Sequence, residues 1–143
     1  MLEPPVVGWS EREESFAARH RWQGTRDPAA YLAVPAAIDF LAEHGWDEVR
    51  GRCHDLAAAA RLRLGELTGL EPLAPDETWL GQMVAAPLPD CDADELKRCL
   101  YERHRIEVPV QRFDGRPLIR ASFQGYNDEA DLDALLGALG ALL

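Results

Sequence analysis

The sequence predicts an α+β fold, a small antiparallel or mixed sheet of three to four strands covered by helices on one face. Three observations predict it. Apolar residues recur at steps of three and four along several segments, whereas other apolar runs are short and closed by proline or by an Asp-Gly pair. The elements fall in the order helix, helix, strand, helix, strand, strand, helix. With 143 residues, 47% of them hydrophobic, and no internal repeat or Ser/Gly-rich linker, the chain can build one core. The expected organisation is an extended lead-in over residues 1–26 and a single domain over 27–143.

Residues up to Arg26 hold Pro4, Pro5, Gly8 and the run "SEREE" without sustained periodicity, hence the lead-in. Asp27-Pro28 marks a helix start, because the carboxylate can accept from orphan amides and the proline falls where no N–H is needed. This helix is expected to turn Tyr31, Leu32, Ile38 and Leu41 inward and to kink at Pro35. Asp47 is expected to cap a second helix whose apolar positions are Val49, Cys53, Leu56, Ala60, Leu64 and Leu67, with Gly69 ending it. "QMVAAPLP" reads as a strand. In "DADELKRCLYERH" Asp92 caps a third helix, Glu95 completes a capping box, and Leu96, Cys99 and Leu100 face the core. "IEVPV" and "PLIRASF" are strands separated by the hairpin pair Asp114-Gly115. The last helix starts at Asn127 or Asp128, carries Glu129 and Asp131 in its first turn, and buries Leu132, Leu135, Leu136, Leu139 and Leu142.

The formal net charge is −10 and the pI about 4.8, so nucleic acid is not an expected partner: an acidic surface repels phosphate backbones. The three cysteines form no C-x-x-C pair, which argues against a disulfide framework or zinc ribbon and fits a reducing, cytoplasmic setting. The first residues lack a basic segment followed by a long apolar one, and no apolar run has membrane-spanning length. Neither a membrane nor a metal is expected. Histidines 20, 44, 54 and 104 are scattered, and the neighbours Cys53 and His54 diverge on a helix. No Walker loop, dinucleotide fingerprint, nucleophile elbow or H-E-x-x-H is present.

Two places can carry chemistry. Strand alternation sets Ile119, Ala121 and Phe123 on one face and Leu118, Arg120 and Ser122 on the other, so Arg120 points away from the helices. It is either a solvated cation or a guanidinium fork, held by the sheet, that grips a carboxylate or phosphate through two hydrogen bonds. In "RWQGTRDP", Gly24 lets a backbone approach closely and Thr25 offers a hydroxyl and an amide shortly before a helix. That is either a turn and cap or an anion cradle.

The blocks "FAARHRWQGTRDPAAYLAVPAAIDFL", "QMVAAPLP", "IEVPV" and "LIRASFQGYND", in this order, resemble the C-terminal part of class V aminotransferases. These are fold-type-I pyridoxal-phosphate enzymes, and the branch is similar to isopenicillin N epimerase-like proteins. The resemblance runs from Trp9 to the end. It implies that Arg120 binds the α-carboxylate of an amino-acid substrate, and that Gly24 and Thr25 meet the cofactor phosphate of a neighbouring subunit in a homodimer. It further implies epimerase, aminotransferase or lyase chemistry at the α-carbon. The family's cofactor-anchoring lysine and its aspartate partner lie in a larger domain before this stretch. Lys97, the only lysine, falls on the polar side of a helix and matches neither, so no catalytic residue is assigned and the chain alone is not expected to be competent. Related cysteine desulfurases carry a nucleophilic cysteine shortly before the carboxylate-binding strand; "RIEVPVQRFDGRPL" has none. The alternative is a standalone ligand-binding or protein-interaction module derived from such a domain.

Overall fold

Local end signals set most of the element boundaries in the computed structural model, which describes residues 15–21 and 24–143. These form two compact units with the division after His44. In the first, α1 spans Phe16–Arg21, where the lead-in was expected to be extended. His20 Nδ1 lies 2.8 Å from the Phe16 carbonyl and its ring stacks on Phe16 at 4.0 Å between centroids. Helix α2 spans Ala29–Glu43 with Pro35 inside it. Its start follows the expected logic: Asp27 Oδ1 accepts the Ala29 N–H at 2.9 Å, and the Pro28 carbonyl accepts from Tyr31 and Leu32 at 2.9 and 3.1 Å.

The expected inward face of α2 is not found. None of its residues is buried, and Tyr31, Leu32 and Ile38 are 61%, 73% and 60% exposed, with Leu41 half-buried. Apolar spacing states that a face favours cover; it does not supply the cover.

In the second unit α3 spans Trp46–Thr68 and buries Cys53, Ala57, Ala60 and Leu64, the spacing that periodicity required. Its N-cap is Gly45, in the left-handed region at φ 60°, whereas Asp47 lies inside the first turn and pairs with Arg50. Gly69, at φ 69°, ends the helix and donates its N–H to Gly65. A short 3-10 turn, Glu77–Trp79, leads to β1, Met83–Pro87. Helix α4, Ala93–His104, is capped by Asp92, whose carboxylate accepts from Asp94 and Glu95. The expected reciprocal bond from Glu95 is replaced: that carboxylate pairs with the Arg98 guanidinium, a charged donor, and also accepts from the Cys99 thiol.

Strand β2 spans Val110–Phe113 and β3 Arg116–Ser122. The expected strand "IEVPV" enters the ladder only at its last residue, since Pro109 has no N–H to give. Asp114 and Gly115, at φ 50° and 76°, make the two-residue turn that pairs Phe113 with Arg116. Helix α5, Glu129–Leu142, begins at a capping box in which Asp128 and Asp131 satisfy each other's backbone amides.

The sheet is antiparallel, in the order β1-β3-β2, so β3 is paired on both edges. Val84, Ala86, Val110, Ile119 and Ala121 are buried on one face together with Leu64, Leu100, Leu132 and Leu139 from the helices. Each fully buried aliphatic side chain contributes about 1.5–3 kcal/mol. Helices α3, α4 and α5 therefore share one face of the sheet, and the α+β expectation holds. The other face carries Met83, Ala85, Gln111, Leu118, Arg120 and Ser122, none of them buried. After β3, Gly125 lies so close to α3 that an added Cβ would meet Val49 Cγ1 at 3.0 Å, a contact that Val49 could accept only by giving a few tenths of an ångström.

Candidate functional site

Arg120 sits at the middle of the central strand. Its backbone is held from both sides, by the register with Ala85 on β1 and by a 3.0 Å hydrogen bond from its N–H to the Pro109 carbonyl. The side chain is exposed on the sheet face opposite α3, α4 and α5. Ala85, its cross-strand neighbour, is too small to cover it, and Met83 and Gln111 stand diagonally to either side. Among the described residues the Arg120 guanidinium makes no hydrogen bond and no ion pair, while five other arginines, Arg50, Arg63, Arg98, Arg112 and Arg61, are engaged by acids or carbonyls. A rigidly based, unpaired fork keeps its donors available for an incoming carboxylate.

Alternation extended backwards from Arg120 brings a residue that the sequence reading passed over. Arg116, four positions earlier on β3, is on the same face, exposed, and likewise without a hydrogen bond or ion pair among the described residues. The signal was present in the period of two.

Gly24 and Thr25 lie in the other unit. Gly24 has φ 91°, in the region that favours glycine, and an added Cβ would have nothing within 4 Å. Thr25 is exposed. The space in front of Gly24 is open, so an incoming group can approach the backbone there. The α2 terminus itself is less available, because Asp27 already holds the Ala29 amide. Arg26 stands over the Tyr31 ring with its guanidinium carbon 5.0 Å from the centroid. Trp22 and Gln23 of the same block lie outside the described residues.

Lys97 is exposed on α4 and borders a recess shared with Asp94, Arg98, Tyr101 and Glu107. That open, polar setting lacks the apolar pocket that would activate a lysine as a nucleophile. Cys53 and Cys99 are buried core fillers. The Cys99 thiol is held above its ordinary range by its hydrogen bond to Glu95, and burial pushes the Cys91 thiol up. Neither is poised as a thiolate. The cavity of about 490 Å³ between α3 and the start of α5 is lined by Arg52, Asp55, Arg63 and Asp128 and involves none of the predicted site residues. Among the described residues no three His, Cys, Asp or Glu side chains gather as a metal site, and no helix is long and apolar enough to cross a membrane.

The model of the family "Aminotransferase class-V" matches residues 8–135. Isopenicillin N epimerase of Amycolatopsis lactamdurans is 42% identical, the alignment covering 99% of this chain and 40% of that protein. The isopenicillin N epimerase of Streptomyces clavuligerus is 40% identical with the same coverage of 99% and 40%. A probable chloroplastic L-cysteine desulfhydrase of Arabidopsis thaliana is 31% identical over 99% of this chain and 33% of its own length. The chain thus spans about two fifths or less of the length of these relatives.

Proposed function

Because the chain belongs to the class-V aminotransferase family, a family of pyridoxal-phosphate-dependent enzymes, we propose that it is the C-terminal domain of an enzyme acting at the α-carbon of an amino acid. Arg120 holds the substrate α-carboxylate and so orients the bond to be broken. The observation that carries this reading is the guanidinium itself: fixed at mid-strand, exposed on the sheet face opposite α3, α4 and α5, and unpaired. Gly24 and Thr25 hold the cofactor phosphate through amides and a hydroxyl, in the neighbouring subunit of a homodimer. When bound, pyridoxal phosphate supplies an electron sink for charge developing at the α-carbon. Among epimerase, aminotransferase and lyase chemistry, epimerisation is favoured by the two relatives at 42% and 40% identity. Persulfide chemistry is disfavoured, since Cys91 and Cys99 are kept as thiols.

The lysine that anchors the cofactor is assigned to a preceding domain, as Lys97 is solvated on α4. We further propose a cytoplasmic setting for the complete enzyme, which three cysteines without a C-x-x-C pair support. The same exposure of Lys97 supports the second reading, a standalone binding module that uses the open sheet face without catalysis.

The test is Arg120→Ala in the enzyme carrying both domains. Loss of a charge-assisted pair of about 1.5–3 kcal/mol predicts a rise in KM for the amino acid of roughly 10–150-fold. Cofactor affinity should stay within about twofold. Equal losses of substrate and cofactor binding would refute the assignment.

A further inference from the structure

The carboxylate reading of Arg120 leaves the second free cation of the same face, Arg116, without a task. Four residues of strand separate the two Cα atoms by about 13 Å. Leu118 stands between them, half-buried, with Pro87 as its cross-strand neighbour on β1 and Gln111 on β2. Ala85 flanks Arg120, and Phe113, 67% exposed, flanks Arg116. The face is thus a shallow apolar track of Ala85, Pro87, Leu118 and Phe113 with a guanidinium at each end.

The one other arginine of the three strands is not left in this state. Arg112, on β2, donates to Asp90 and, at 3.2 Å, to the Cys91 carbonyl. Glu71 borders the same recess of about 450 Å³ as Arg116 at this end of the sheet, and no ion pair joins them. At about 13 Å apart and exposed, the two cations are largely screened from each other, and neither gains an ion pair although the protein carries a net charge of −10. An elongated dianion would neutralise both.

Resting on the reading of Arg120 as the α-carboxylate site, we propose that the substrate belongs to the class of amino acids carrying a second, distal carboxylate. The α-carboxylate meets Arg120, the intervening chain lies along Leu118, and Arg116 grips the far carboxylate. Arg116 is thereby a specificity-determining residue: it discriminates by length and charge without touching the reacting bond.

The experiment is titration of the 143-residue chain with succinate, adipate, suberate and sebacate, and with octanoate as the single-carboxylate probe, followed by amide and guanidinium NMR shifts. Suberate, long enough to engage both ends, is expected to bind about tenfold more tightly than octanoate, the second contact acting intramolecularly. Succinate should show no such gain. Arg116→Gln should erase the advantage of suberate and leave octanoate unchanged, and Arg120→Gln should weaken both acids. Suberate binding no more tightly than octanoate, or an advantage that survives Arg116→Gln, overturns the assignment of Arg116 and leaves Arg120 standing. Octanoate binding that is indifferent to Arg120→Gln overturns the carboxylate reading and this inference with it, as does failure of every acid to bind.

Discussion

Ile119 and Arg120 are sequence neighbours on opposite faces of the central strand, and truncating each to alanine should have opposite consequences for stability and recognition. Ile119 is 0% exposed and packs in the core with Leu64, Leu100 and Leu132. Ile119→Ala removes three carbons, worth about 2.4 kcal/mol at about 0.8 kcal/mol each, and the cavity left behind raises the cost to about 2–5 kcal/mol. Against a typical domain stability of about 5–15 kcal/mol this is a large fraction. Arg120 is exposed and unpaired, so Arg120→Ala should change stability by no more than about 0.5 kcal/mol. Thermal unfolding of the chain, followed by circular dichroism, reads both. At about 4 °C per kcal/mol, Ile119→Ala should lower Tm by roughly 8–20 °C, and Arg120→Ala by about 2 °C at most. A drop for Arg120→Ala comparable with that for Ile119→Ala would mean that the guanidinium is a structural partner, and the argument from its freedom would fail.

The capping box at the start of α5 should be worth about 1 kcal/mol, so Asp128→Ala should lower Tm by about 4 °C while Asp128→Asn or Asp128→Ser restores most of it; equal losses in all three would show that the cap is not the cause. In acid, Glu95 is held below its usual 4.5 by the Arg98 hydrogen bonds, then by the Cys99 contact, and Asp76 below its usual 3.8 by the Thr78 hydroxyl and amide. Both folded values are depressed, so their contribution is complete above the usual values and is lost as pH falls through the folded ones. Tm should therefore fall below about pH 4.5, and Glu95→Gln should flatten part of that fall; curves for variant and parent that run parallel from about pH 5 to 3 would refute this.

Much of the second unit was legible in the sequence because the forces involved are local. Asp92 caps α4, Asp128 caps α5, Gly69 ends α3, and Asp114-Gly115 turns the hairpin, each within a few residues of the groups it satisfies. The alternation that buries Ile119 and frees Arg120 is a property of any pleated strand. Where two local partners compete, local reasoning becomes less certain. Glu95 had an amide within reach and took Arg98 and Cys99, and Asp47 gave way to Gly45 as the cap of α3. The exposed α2 shows the other boundary, since Tyr31, Leu32 and Ile38 announce an apolar face and cannot say what, if anything, lies on it.

By itself the sequence determined the caps of α4 and α5, the end of α3 and the hairpin turn, which strand residues share a face, and to which family the pattern of blocks belongs. Tertiary structure alone decided that β3 is the central strand, in the order β1-β3-β2. It also decided that Arg112 is tied down while Arg116 and Arg120 are not. The physical reason is range: caps, turns and pleats are settled among neighbours in the chain, whereas strand order and the pairing of a guanidinium depend on groups tens of residues away that only folding brings near.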